Sequence, residues 1–253
     1  MELWTHEHAV TLIPAVAVML LLAATLRYFL GNKPLHIRMI PIQMIAVLLI
    51  LLEAGKQFVS LRNGYDLYHL PFHFCSLFIF MLPIMAFYKG KHQQKVFAIT
   101  ASLCTSVLLL MLVYPSLIYS ADNIRLFFKG FLDMHTVAFH NLVILAAILI
   151  PALRLHTPQP GERKPILLFM LCFCVISATM AQLLETNFNN FYSCNVPPLE
   201  TLRQNVQGIL GYGVTQGLYI LIVTVLDLLF VQGCYWLYRG LRCLCAGKQM
   251  VSV

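Results

Sequence analysis

The chain has 253 residues, of which 60% are hydrophobic and only 11% are charged. The apolar residues lie in long runs and do not alternate at strand spacing, which indicates a helical membrane protein and excludes a soluble domain or a membrane β-barrel. The formal net charge of +7 comes from cationic residues grouped beside the apolar runs. Because membrane topology accounts for that grouping, no nucleic-acid partner is expected.

Seven segments are long and apolar enough to cross about 30 Å of hydrocarbon as helices. In chain order they cover about residues 9–30, 41–61, 69–88, 96–119, 131–155, 165–186 and 214–238. Most connections are short, and only 187–213 is long enough to be a lid or a substrate-binding lip as well as a surface loop. The sequence therefore predicts one all-α domain over residues 1–253, a polytopic transmembrane bundle of about seven spans.

The Lys and Arg residues divide unevenly between the two sets of connections. Twelve lie after the first, third and fifth spans and in the C-terminal tail, whereas four lie in the opposite loops. Since cytosolic loops carry the excess of basic residues, this division predicts a lumenal or external N-terminus and a cytosolic C-terminus. The first apolar run has no preceding basic segment and no small-residue cleavage site, so it is expected to remain as the first span.

The eight cysteines show no disulfide framework. Four lie within apolar spans, where a thiol behaves as a small hydrophobic group, and Cys194 has no evident partner in its loop. Cys243 and Cys245 follow basic residues at the cytosolic end of the last span, a pattern typical of S-palmitoylation; unmodified surface thiols are the alternative. A structural zinc site takes four ligands, so these two cysteines predict no metal site.

Three predicted spans carry a polar side chain at a similar depth. Counting 1.5 Å per residue places Cys75, His140 and Glu53 on the order of 10 Å below the outer boundary. Ionisable groups are costly there and by default indicate a functional site. His73 is the imidazole nearest to Cys75 in sequence, but on a helix the two side chains would point about 200° apart. A base for Cys75 is therefore expected from another helix, and His140 matches its depth.

A thiol and an imidazole at one depth predict nucleophilic acyl chemistry. The imidazole draws the thiol toward the thiolate, which attacks an acyl carbonyl and holds the acyl group as a thioester. The second nitrogen of His140 is expected to be oriented by Asn187, Asn190 or Glu53, and Ser76 is a candidate donor to the oxyanion. The alternative is structural: intramembrane Cys and His side chains also serve as packing and interhelical contacts, and Glu53 with Lys56 forms a neutral pair.

The segment from His69 to Leu77 reads HLPFHFCSL and resembles the LPLHLCSL signature of the YwaF family of polytopic membrane proteins, in particular its transmembrane protein 164 branch. Two looser similarities lie at 127–145, where His140 matches the family histidine, and at 190–198, where Asn190 precedes an aromatic pair and two prolines. His69 and His73 are left with secondary roles near the lip of the site.

This resemblance implies a cysteine-dependent phospholipid acyltransferase without a cofactor. Such an enzyme moves a polyunsaturated acyl chain, arachidonoyl in particular, from a diacyl phospholipid to a lyso ether phosphatidylethanolamine. By position, Cys75 would accept the acyl group and His140 would be its base. The partners would be the two lipids and the bilayer, and endoplasmic reticulum or Golgi membranes are expected as the location rather than the plasma membrane.

Two other functions remain open. A lipid hydrolase would use the same thiol and imidazole but pass the acyl group to water, and its products would not depend on a lyso-lipid acceptor. The other is a non-enzymatic seven-span receptor or transporter. Against a receptor, the outward loops have no paired cysteines. Against a transporter, the chain has no matched broken half-helices.

Overall fold

The computed structural model describes residues 3–159 and 161–250, with side chains described as far as Arg242. Within these residues the chain forms helices, turns and irregular connections, with no strand. The predicted all-α polytopic bundle is confirmed. The predicted palmitoylation sites Cys243 and Cys245 lie outside the described side chains.

The described residues form ten α-helices joined by short connections. They are α1 His6–Leu30, α2 Leu35–Arg38, α3 Ile40–Arg62, α4 Leu77–Phe87, α5 Gln93–Val113, α6 Ala121–Arg125, α7 Phe131–Ala152, α8 Arg163–Leu183, α9 Pro197–Leu210 and α10 Tyr212–Met250. Single 3-10 turns lie at Leu67–His69, Phe74–Ser76, Pro115–Leu117 and Phe188–Asn190. Six segments are long and apolar enough to cross a membrane: His6–Leu30, Leu35–Arg62, Gln93–Val113, Phe131–Ala152, Arg163–Leu183 and Tyr212–Arg242.

The predicted span at 69–88 differs from the other six because its first half is not helical. Residues 63–76, called here the irregular segment, contain two 3-10 turns and extended backbone at Leu70 and His73. Pro71 explains part of this break, since it lacks an N–H donor and disfavours the helical conformation at the residue before it. Only the 11 residues of α4 are α-helical, and at 1.5 Å per residue they extend about 16 Å.

The irregular segment and α4 together run antiparallel along α3. At the middle of the segment, Gln57 donates to the backbone carbonyl of His69 at 3.1 Å. At the other end, Gln43 donates to the carbonyl of Ala86 at 3.2 Å. The predicted crossing is therefore made by irregular backbone beside the second half of α3 and by a short helix beside the first half.

Helix α5 forms the centre of the bundle and packs against α4, α7, α8 and α10. Small residues allow these close approaches: Ala98, Ser102 and Ser106 are fully buried. The two serine hydroxyls donate to carbonyls one turn back in their own helix, each at 2.9 Å. Small side chains of this kind let membrane helices approach without leaving a polar group unpaired.

The loop between α7 and α8 is closed by four buried side chains, called here the loop cluster: His156, Glu162, Tyr235 and Tyr238. Glu162 Oε1 accepts from His156 Nε2 at 2.9 Å, and the second nitrogen of His156 lies 3.3 Å from the Tyr238 hydroxyl. Tyr235 donates to the other oxygen of Glu162 at 3.4 Å. Each polar atom of the histidine and carboxylate thus has a partner, which fixes α10 against the C-terminal end of α7.

Candidate functional site

A cavity of about 590 Å³ lies between α3, the irregular segment, α7, the connection after α8, and α10. Its lining includes all eight residues singled out in the sequence: Glu53, His69, His73, Cys75, Ser76, His140, Asn187 and Asn190. These residues come from four separate parts of the chain. The fold brings the predicted site together in one place.

The Cys75 thiol is half-buried and free, in the 3-10 turn that precedes α4. Ser177 of α8 donates to the carbonyl of Phe72 at 2.8 Å and holds this part of the irregular segment against the bundle. Because the backbone here is not α-helical, two sequence-based expectations fail: depth at 1.5 Å per residue cannot be counted to Cys75, and the 200° rotation from His73 does not apply. Instead, His73 Nε2 donates to the carbonyl of Tyr68 at 3.0 Å, with its ring against those of Tyr68 and Phe188.

His140 is buried on α7, and its two nitrogens have different surroundings. Nδ1 lies 2.7 Å from the backbone carbonyl of Thr136. A carbonyl can only accept, so Nδ1 carries the proton and Nε2 of the neutral ring carries a lone pair. Nε2 is buried without a protein partner. His140 is thus held in the tautomer that a general base for a cavity group requires.

Within the described residues, none of the expected orienting residues forms a hydrogen bond with His140. The Thr136 carbonyl, on the same helix, takes the role assigned to Asn187, Asn190 or Glu53, so that expectation is wrong. Among the described residues, no hydrogen bond joins the Cys75 sulfur to His140. The two groups share the cavity without direct contact, an arrangement common in catalytic pairs before substrate binds.

Glu53 lies on the α3 wall of the cavity and is buried, with 9% of its surface exposed. Its Oε1 accepts from Lys56 Nζ at 2.7 Å and from Gln57 Nε2 at 2.7 Å. Its Oε2 lies 3.4 Å from Nε2 of His135 on α7, close enough for an ion pair but not aligned as a hydrogen bond. The neutral pair expected for Glu53 and Lys56 is present, and a histidine from a second helix joins it.

Gly55 allows α3 to approach α7 at this point. A Cβ atom built on Gly55 would lie 2.5 Å from the ring of Phe131, the first residue of α7. Nearby, His69 Nδ1 and the Ser60 hydroxyl share a hydrogen bond of 2.7 Å. His69 therefore belongs to the wall beside α3 and is fixed through its side chain as well as its carbonyl.

The connection from Asn187 to Asn195, called here the asparagine loop, forms the opposite wall. Asn187 is structural: its Oδ1 accepts from the amides of Tyr192 and Ser193. Asn189 and Asn190 have left-handed backbone, with φ of 48° and 62°, which asparagine tolerates better than most residues. Asn190 Oδ1 is buried without a partner.

Asp227 of α10 also lines the cavity. It is held by Asn189, whose Nδ2 donates to Asp227 Oδ2 at 2.7 Å. Asp227 is half-buried, so it is both a contact between α10 and the asparagine loop and a residue of the cavity wall. Lys56, His135 and Asn189 were not singled out as site residues. Polarity within a span was a usable signal for the first two, whereas nothing in the sequence indicates that Asn189 contacts Asp227.

Helix α9 follows the asparagine loop and has one apolar face, where Leu199, Leu202 and Ile209 are exposed. Its polar face is attached to the protein. Glu200 accepts from Arg203 at 2.6 Å and from the Cys194 amide at 2.9 Å. The Arg203 guanidinium holds the pKa of the Glu200 carboxyl at about 2. These bonds tie α9 to the asparagine loop and leave its apolar face free for a lipid surface.

Apolar side chains form most of the remaining cavity lining. They are Phe74, Ile79, Leu110, Leu117, Ile118, Leu132, Phe139, Val223, Leu226, Phe230 and Val231, and Tyr68, Thr136 and Asn195 complete the wall. Leu226 is 59% exposed and Leu117 is 50% exposed, so the cavity reaches the outer surface of the bundle at these side chains. A wall that combines polar groups with apolar side chains matches the two parts of a lipid.

Within the described residues, no group of three or more His, Cys, Asp or Glu side chains is placed to hold a metal ion. Comparison of the chain with curated proteins and with solved structures found no significant match. The model of the TMEM164 family matches residues 3–235, a range that contains every cavity residue described above. The chain therefore belongs to the TMEM164 family.

Proposed function

We propose that this protein is a membrane-embedded, cysteine-dependent phospholipid acyltransferase. The observation that carries the proposal is that the Cys75 thiol and the unpartnered Nε2 of His140 line one cavity, whose wall combines polar and apolar side chains. The family resemblance supplies the substrates: a polyunsaturated acyl chain, arachidonoyl in particular, passes from a diacyl phospholipid to a lyso ether phosphatidylethanolamine. Endoplasmic reticulum or Golgi membranes are the expected location.

The first half-reaction loads the acyl group onto Cys75. Nε2 of His140 takes the thiol proton as the sulfur attacks the ester carbonyl of the donor lipid. The tetrahedral intermediate then collapses and its C–O bond breaks. His140 returns the proton to the leaving lyso-phospholipid oxygen, and Cys75 holds the acyl group as a thioester. Ser76, which lines the same cavity, is a candidate donor to the oxyanion.

The second half-reaction transfers the acyl group to the acceptor. The hydroxyl of the lyso-lipid loses its proton to a base, its oxygen attacks the thioester carbonyl, and the C–S bond breaks. The thiolate of Cys75 takes the proton back. No metal ion or organic cofactor takes part in either step as written, and both lipids can reach the cavity from the side through the bilayer.

The test uses purified protein in vesicles that contain a phosphatidylcholine with a labelled arachidonoyl chain and an unlabelled lyso ether phosphatidylethanolamine. Wild-type protein should acquire label that hydroxylamine releases, as expected of a thioester, and should form labelled ether lipid. Cys75→Ala should lose both signals. Cys172→Ala is the matched control, since Cys172 is exposed on α8 and does not line the cavity.

Transfer at the wild-type rate in Cys75→Ala would show that the thioester mechanism is wrong. Free labelled fatty acid that forms at the same rate with and without the lyso-lipid would identify a hydrolase instead. Absence of both products and of protein-bound label in the wild type would refute an acyl-transfer function for this lipid pair.

A further inference from the structure

Two imidazoles on α7, His135 and His140, line the cavity, and each is more than nine-tenths buried. The ring of Phe139 lies against both, with centroid distances of 5.4 Å to His135 and 5.5 Å to His140. Five residues separate them along the helix, which is about 7.5 Å at 1.5 Å per residue. His135 is nearer the start of α7 and faces the Glu53 carboxylate, which is paired with Lys56.

The two rings differ in the group that lies beside one of their nitrogens. His140 is oriented by a backbone carbonyl, and no carboxylate contacts it. His135 Nε2 lies 3.4 Å from the Glu53 carboxylate, and no described residue forms a hydrogen bond with its Nδ1. A carboxylate beside one nitrogen favours the tautomer protonated there and stabilises the imidazolium that forms when the other nitrogen takes a proton.

Glu53 is suited to this positioning role. Lys56 and Gln57 occupy its other oxygen and favour the ionised carboxylate, while Oε2 remains without a hydrogen bond. Both Oε2 and the facing Nε2 of His135 are fully buried polar atoms without an aligned partner. A small movement of either side chain would align them, so the pair is poised to strengthen when His135 becomes charged.

Resting on the proposed function, we propose that His135, supported by Glu53, is the general base of the second half-reaction. Its Nδ1 takes the proton of the acceptor hydroxyl as the oxygen attacks the Cys75 thioester. The new C–O bond forms, the C–S bond breaks, and the imidazolium returns its proton to the thiolate. The Glu53 carboxylate would stabilise the imidazolium that forms in this step, a support that His140 lacks among its hydrogen bonds.

The position of His135 along α7 agrees with a separate base for each half-reaction. The acceptor hydroxyl lies next to the headgroup of a lyso-lipid, which suits the charged side chains of Glu53 and Lys56 beside His135. His140 lies about 7.5 Å further along α7 by helical rise, away from these two charges. Each imidazole is thus placed for a different half-reaction.

The experiment separates the two half-reactions in purified full-length protein in vesicles. In His135→Gln the side-chain amide can take the place of Nε2 and still donate to Glu53, but nothing replaces Nδ1. With labelled donor and no acceptor, loading of Cys75 should stay within about threefold of wild type. When lyso ether phosphatidylethanolamine is then added, loss of label to lipid should be slower by about 10²–10⁴-fold, the usual loss for a general base.

Hydroxylamine provides the internal control, because it cleaves a thioester without help from a base on the protein. It should release label from His135→Gln and wild type at the same rate. Glu53→Gln should also slow transfer more than loading, but by a smaller factor, because it removes support rather than the base. If His135→Gln does not fold, Glu53→Gln is compared with wild type in its place.

Equal slowing of loading and transfer in His135→Gln, or transfer at the wild-type rate, would overturn the assignment of His135. Failure of the wild type to load any hydroxylamine-labile label would instead overturn the proposed function itself. The two failures are therefore distinguishable in one set of measurements.

Discussion

Two histidine–glutamate pairs lie toward opposite ends of α7, and they differ in how completely they are partnered. In the loop cluster, Glu162 accepts from both His156 and Tyr235, and both nitrogens of His156 have neighbours. In the cavity, the facing atoms of Glu53 and His135 are buried without an aligned partner. A buried polar atom without a partner costs stability, so of the two pairs only the one in the cavity has bonding capacity left for a ligand.

The same two residue types thus form a fully hydrogen-bonded pair in one place and an incompletely bonded pair in the other. The loop cluster closes a connection and fills its own hydrogen bonds. The cavity contains a second imidazole, His140, that also has a nitrogen free. The predictions below alter either the cavity, where activity should change, or the loop cluster, where stability should change.

The largest effect is expected from removing the free nitrogen of His140. In His140→Asn the side-chain amide can take the place of Nδ1 and still donate to the Thr136 carbonyl, while nothing replaces Nε2. The rate of Cys75 loading should fall about 10²–10⁴-fold, with little change in thermal unfolding. Loading is measured with labelled donor lipid, and a folded variant that loads at the wild-type rate would contradict the role of His140.

Removing the imidazole of the loop cluster should lower the stability of the protein and leave acyl transfer unchanged. In His156→Leu the Glu162 carboxylate loses a donor while it remains buried, which should lower the free energy of unfolding by about 1–3 kcal/mol. Denaturant titration in mixed micelles measures this change. Acyl transfer per folded molecule should match wild type, and a selective loss of transfer without loss of stability would remove the distinction between the two pairs.

A smaller effect is expected from widening the contact that brings Glu53 to His135. Gly55→Ala places a methyl group against the Phe131 ring, which must move, so transfer to the acceptor should fall by up to about tenfold through misplacement of the pair. Unfolding free energy should not fall much, because alanine favours a helix over glycine by about 0.5–1 kcal/mol. Recovery of transfer in the double variant Gly55→Ala, Phe131→Leu would identify the ring contact as the cause.

The smallest effect is expected for Tyr235→Phe. It removes one long hydrogen bond, 3.4 Å, to Glu162 and leaves His156 on the other carboxylate oxygen. A loss of about 0.5–1.5 kcal/mol in unfolding free energy is expected, with unchanged loading and transfer. A change in either rate would mean that the loop cluster is coupled to the cavity.

Hydropathy was enough to predict the long helices because each one satisfies its own backbone and needs only an apolar surface. It failed for residues 69–76, where an apolar composition hides a local break at Pro71. Helical counting for Cys75 failed with it. The matching depth of Cys75 and His140 depended on that count, whereas the family resemblance that assigns roles to both residues did not.

The sequence was enough to choose the residues of the site, but it did not reveal their hydrogen-bond partners. All eight candidate residues line the cavity, but the orienting group of His140 is the Thr136 carbonyl, which every residue type possesses and no sequence pattern reveals. The approach of Glu53 to His135 depends on the register of α3 against α7. Long-range pairing of this kind follows from packing, and one sequence contains little information about it.

The break in the chain before α4 has a consequence for water. Backbone at membrane depth that is not helical persists only where protein or a hydrated cavity meets its polar groups. Gln57 and Ser177 bind two carbonyls of the irregular segment, and water in the cavity that Cys75 lines would meet the others. A thioester formed there would be exposed to hydrolysis from the moment it forms. The yield of transferred lipid would then depend on a race between water and the acceptor, and prompt occupancy of the cavity by the second lipid would protect the acyl group.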